Sequence, residues 1–88
     1  MAGKIANGQV ATSTSSAELV AARPKRRRVI IKNLDSTITV YIGTGTVTTA
    51  NGMPLLAGES IAIEATVAIN GRSASGTPTI AYLEEYLP

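Results

Sequence analysis

The sequence predicts an all-β protein: a small antiparallel β-sandwich or jelly-roll-like barrel of six to eight short strands. Three observations carry this. Short runs rich in Val, Ile and Thr recur, several with strict apolar/polar alternation, the period of a half-buried strand. Turn-forming pairs separate these runs about every 8–12 residues, the spacing of sandwiches and barrels. No segment sustains the 3.6-residue apolar period of the helices that a parallel βαβ sheet requires.

Residues 1–16 carry only Ile5 and Val10 as sizeable β-branched apolar side chains among Gly, Ala, Ser and Thr. Such a segment buries too little surface to order itself. It is expected as an N-terminal arm, flexible or ordered by a partner, with an edge strand available over Val10-Ala-Thr-Ser-Thr14. Residues 17–88 are expected to form the single β-sandwich domain. Ser15–Ala22 admits two readings. Ser15 and Glu18 have capping-box spacing and would open a helix, whereas Pro24 pushes Arg23 toward extended geometry and favours a strand.

Val29–Leu34 is β-branched and apolar, and Asp35-Ser36 supplies turn chemistry. Thr37–Ile42 alternates strictly, with Ile38, Val40 and Ile42 on one face. The two runs are expected to pair as a hairpin. Gly43–Thr46 then interrupts the strand and Asn51-Gly52 marks a turn. Met53–Leu56 is a short extended run, closed by a turn at Ala57-Gly58. Ser60–Glu64 alternates again with Ile61 and Ile63 inward, and Val67–Ile69 follows. Asn70-Gly71 and Ser75-Gly76 read as turns, Thr79–Leu83 as the last strand, and Glu84-Glu85 as the start of a tail.

The chain has 88 residues, enough for one domain. A domain of this size buries only about 60–65% of its unfolded-chain surface, so stability as a monomer is modest. Hydrophobic residues make up 44% of it, with nine isoleucines, six valines and six leucines available for the core. There is no cysteine and no histidine. That removes a disulfide framework, a thiolate nucleophile, the usual zinc ligands and the ordinary general base near neutral pH. No enzymatic activity, cofactor or metal is expected. Glu84 and Glu85 are adjacent on a strand and point apart, which does not make a glycosidase-like carboxylate pair. Gly43-Thr-Gly45 lacks the Lys-Ser/Thr ending and following helix of a phosphate loop.

The longest unbroken apolar runs are four residues, such as Leu19–Ala22, far below the ~20 of a membrane span. Met1–Val10 has no apolar core of a signal peptide. A soluble protein made in a cytoplasm is expected.

The formal net charge is +2, yet five of the eight cations lie in Arg23-Pro-Lys-Arg-Arg-Arg28. The other three cations face six acids, giving −3 for the remainder. This is a slightly acidic body with one basic block. Arg23, Lys25, Arg26, Arg27 and Arg28 are therefore the leading partner-binding candidates, with Ile5 and Val10 of the arm beside them. Such a block docks an acidic protein surface through charge-assisted pairs, holds nucleic-acid phosphates, or simply shields a strand edge. Nucleic acid is disfavoured because neither a recognition helix nor an aromatic stacking platform accompanies the block. Tyr41, Tyr82 and Tyr86 are read as packing residues, with a sugar-stacking platform as the alternative.

Arg27-Arg-Val-Ile-Ile-Lys-Asn-Leu34 and Ile38-Thr-Val-Tyr-Ile-Gly43 resemble segments of small proteins of tailed bacteriophages. So do Asn51-Gly-Met-Pro-Leu-Leu-Ala-Gly-Glu-Ser-Ile61, Ala68-Ile-Asn-Gly71 and Ser73-Ala-Ser-Gly-Thr77. Over roughly residues 17–85 the chain is similar to capsid decoration (cement) or head-fibre proteins. The shared positions are structural, so no functional residue carries over. The resemblance implies a β-sandwich module on the virion, made in the bacterial host cytoplasm, forming a homotrimer and bound to the major capsid protein. The expectation is a structural protein decorating the outer surface of a phage head. The alternatives are a virion-displayed adhesion or carbohydrate-binding module, and a small nucleic-acid-binding protein using Arg23–Arg28.

Overall fold

Eight strands form two four-stranded antiparallel sheets in a computed structural model that describes residues 3–88. The strands are β1 (Lys4–Ala11), β2 (Ala17–Val20), β3 (Arg26–Asn33), β4 (Val40–Gly43), β5 (Met53–Leu55), β6 (Ser60–Ile63), β7 (Ile69–Ser73) and β8 (Thr79–Tyr86). One sheet has the order β1-β8-β3-β6 and the other β2-β7-β4-β5. The first strand thus pairs with the last, the second with the seventh, the third with the sixth and the fourth with the fifth. That is a long hairpin rolled into two layers, the jelly-roll arrangement. No helix occurs among the described residues.

The core lies between the layers. Leu19, Val20, Val29, Ile31, Val40, Ile42, Leu55, Ile69 and Ile80 are buried, with Val10, Ile61, Ile63 and Tyr82 packed against them. In β3 the residues Val29, Ile31 and Asn33 point inward while Arg28, Ile30 and Lys32 point outward, as the period of two requires.

Several expectations change. Residues 4–11 form β1 and pair with β8 over eight positions, from Lys4↔Tyr86 to Ala11↔Thr79. The segment gains order from its own chain's sheet and is not a separate arm; Met1 and Ala2 lie outside the described residues. Ala17–Val20 is the strand of the two readings weighed there.

The expected hairpin between Val29–Leu34 and Thr37–Ile42 does not form, because β3 and β4 belong to different sheets. Asp35 accepts hydrogen bonds from the backbone N–H groups of Thr37 (2.8 Å) and Ile38 (2.7 Å). Those donors are taken from a ladder, so β4 starts only at Val40 and the chain crosses between layers. The fully buried Asn33 fixes the crossing: its Nδ2 donates to Ile38 O (2.8 Å) and Leu55 O (3.0 Å), and its Oδ1 accepts from Asp35 N (3.0 Å).

Asn70-Gly71 is not a turn but part of β7. A Cβ on Gly71 would lie 2.7 Å from Leu19 Cδ1 and 2.7 Å from Tyr41 O, so glycine serves close strand packing here. The turns at Ala57-Gly58 and Ser75-Gly76 do form, with φ of +79° at Gly58 and +60° at Gly76. Glu84 and Glu85, expected in a tail, lie within β8.

Candidate interaction surfaces

The basic block does not present a uniform cationic strip. The register of β3 against β8 shifts between Arg26 and Arg28, which pair with Tyr86 and Glu85 respectively, leaving Arg27 as the extra residue of a β-bulge. Simple alternation from Val29 would turn Arg26 outward. The bulge reverses it and aims Arg26 between the sheets.

The Arg26 side chain is 0% exposed. Its Nε donates to Glu84 Oε1 at 2.8 Å. Its Nη1 donates to Ala65 O (2.9 Å) and Val67 O (3.0 Å), and its Nη2 to Ala21 O. One guanidinium therefore ties the β2–β3 connection, the β6–β7 loop and β8 together. Arg26 is unavailable to an external partner, contrary to its place among the docking candidates, because every acceptor it holds is within the chain.

Arg23 is half-buried. It donates to Glu84 Oε2 at 3.4 Å and its guanidinium carbon lies 4.0 Å from the Tyr86 ring centroid. Its Nε is buried without a hydrogen-bond partner. Lys25, Arg27 and Arg28 are exposed, and Lys25 Nζ lies 3.2 Å from Pro88 O. Of the apolar candidates, Val10 packs against the core, whereas Ile5 is 66% exposed on the outer face of the first sheet.

Two apolar surfaces went unnoticed in the sequence. The first is a groove of about 220 Å³ at one end of the sandwich, walled by Ile42, Met53, Ile61, Ile63, Val67 and Ile69. Ile61 and Ile63 pack on the core and also line this opening, so alternation alone could not separate the two roles. The second is the outer face of the β1-β8-β3-β6 sheet. Ile30 and Leu83 stand directly opposite each other there, as do Arg28 and Glu85. With Ile5 they border a depression of about 130 Å³.

The acids are dispersed. Glu84 is buried with Arg26 and Arg23, Glu85 points to solvent from the next position, and Glu59 Oε1 accepts from Leu56 N at 2.9 Å. Asp35 holds its carboxyl below the usual carboxylate value of 3.8, chiefly through the backbone N–H groups of Thr37 and then Ile38. The tyrosines do not share a surface. Tyr82 and Tyr86 alternate with outward residues along β8 on the core side, while Tyr41 lies in β4 of the other sheet. Among the described residues no helix is long and apolar enough to cross a membrane.

No protein-family model matches the chain, and no curated protein matches it. Solved structures share its fold. One is protein NMB1881 from Neisseria meningitidis, 11% identical, covering 93% of this chain and 81% of that one, with a TM-score of 0.53. Another comes from Bacillus endospore appendages, described as a novel family of disulfide-linked pili. It is 15% identical and covers 99% of this chain and 91% of that one, with a TM-score of 0.52. At these identities the likeness carries the fold alone.

Proposed function

We propose that the protein is a structural, binding-only module that decorates the outer surface of a phage head as an oligomer. The observation that carries this is the division of labour in the basic block. Arg26 is sunk into the sandwich and braces the β2–β3 corner, and Lys25 and Arg27 are exposed on either side of it. Cations on a corner fixed in this way lose little freedom when they meet an acidic surface, which favours recognition of a carboxylate-bearing shell. A pilus of Bacillus endospores provides a subunit of similar fold, a precedent for this sandwich in an assembled structure. This chain contains no cysteine, so it forms no disulfide links of that kind.

Co-sedimentation with purified phage heads tests the reading. The wild type is expected to bind at a fixed ratio to the major capsid protein, and Lys25→Ala/Arg27→Ala to bind at least tenfold more weakly. Unchanged binding of the double variant, or no association of the wild type with heads, overturns it.

A further inference from the structure

We infer that the outer face of the β1-β8-β3-β6 sheet is a twofold interface between two copies of this chain. The inference deepens the oligomeric part of the proposed function by naming the surface and its symmetry, and it does not require the capsid.

The face has an apolar centre flanked by polar and charged residues. Along its centre the outward residues form a row of Leu83, Ile30 and Ala62, set by the registers Ile30↔Leu83 and Ile30↔Ala62. Leu83 and Ile30 are 43% and 36% exposed, and Ile5 and Leu34 extend the apolar surface at 66% and 43%. Three of the four strands have eight residues. At about 3.4 Å per residue and about 4.8 Å between strands, the face measures roughly 27 by 19 Å. Because β6 has only four residues, two such faces together offer about 900 Å², close to the lower bound of specific association.

The charges on this face select a second copy as the occupant. Arg28 and Glu85 are opposite one another on β3 and β8, one step along from the Ile30–Leu83 pair. Neither is in an ion pair among the described residues. Consider a twofold axis lying in the contact plane, parallel to the strands and midway between β3 and β8. It exchanges the two strands. Arg28 of each copy then lies over Glu85 of the other, and Ile30 of each over Leu83 of the other. Lys32 falls over Ala81, its opposite in the register, so no like charges meet. The result is an alternating quartet of two arginines and two glutamates beside an apolar quartet. A surface that satisfies its own charges under a twofold rotation is the requirement for an isologous dimer.

The test is a charge swap read by size-exclusion chromatography with light scattering, with circular dichroism to verify folding. Wild type is expected at twice the chain mass. Arg28→Glu and Glu85→Arg are each expected at the chain mass, since each places only like charges in the quartet. Mixing the two single variants is expected to restore the twofold mass, because one supplies only acids and the other only arginines. A pairing within one chain cannot be restored by mixing. A monomeric wild type, a trimer indifferent to either substitution, or a mixture that stays monomeric overturns the inference. Head binding by a monomeric Arg28→Glu chain rejects the dimer as a requirement while leaving the capsid reading intact. Dimers that ignore heads reject the capsid reading and leave the interface standing.

Discussion

Replacing Arg26 by methionine should strongly destabilise the fold. The substitution keeps an unbranched apolar stem but removes the donors to Glu84, Ala21, Ala65 and Val67. Breaking a buried ion pair by removing one partner costs about 3–5 kcal/mol, because the remaining charge is uncompensated. Arg23 offsets part of this, but its contact to Glu84 is longer, at 3.4 Å, and its side chain is 36% exposed. Each carbonyl left without a donor adds about 1 kcal/mol. With three such carbonyls the terms reach roughly 6–8 kcal/mol before the Arg23 offset, so a net loss of at least about 4 kcal/mol follows. Against a total of about 4–13 kcal/mol for a domain of this length, that leaves the chain near its folding threshold. Thermal unfolding followed by circular dichroism should show a midpoint lower by at least about 15 °C. Adding Glu84→Leu removes the orphaned carboxylate and should return about 2 kcal/mol, since an apolar pair of similar volume replaces a buried ion pair at little cost. A loss below 1 kcal/mol for Arg26→Met, or a double variant no more stable than the single one, would refute the assignment of Arg26 as the buried tie.

Gly71→Ala should destabilise by about 3 kcal/mol, the upper range for overpacking, because the new Cβ meets the fixed Tyr41 carbonyl as well as the movable Leu19 side chain. Urea denaturation measures this, and a loss under 1 kcal/mol would mean that β4 and β7 can separate freely. The lowered pKa of Asp35 fixes the sign of an acid effect. Its contribution to stability is present above the ordinary value of 3.8 and is lost as pH falls below it, through the folded-state value. Asp35→Asn should therefore flatten the acid limb of a melting-temperature profile below about pH 4, while an unchanged limb would place the effect on another carboxylate.

The chain's periodicity reached the fold class but not the partnering of strands. Val40 and Ile42 do share a buried face, yet their strand starts only at Val40, leaves Ile38 outside it and sits in the other sheet from β3. A hairpin and an inter-sheet crossing share the same local turn residues. What separates them is that Asn33 reaches Ile38 and Leu55, across 5 and 22 positions of sequence. Asn70-Gly71 shows the same limit from the other side. Its turn composition is identical whether glycine supplies backbone freedom or merely room, and only the approach of Tyr41 and Leu19 reveals that it supplies room. The interaction surfaces were half legible. The basic block stood out as a charge cluster, but its sorting into one buried and several exposed cations depends on a single bulge at Arg27.

By itself, then, the sequence determined an all-β sandwich of short strands with catalysis by histidine or cysteine excluded, because alternation, turn chemistry and composition are local properties. The tertiary structure alone decided that residues 4–11 are the partner of β8, that Arg26 is structural, and that Arg28 and Glu85 stand side by side on an open sheet face. Each of these depends on contacts between residues some 50 to 80 positions apart, where the backbone register sets which side chains meet and whether they face the core or the solvent.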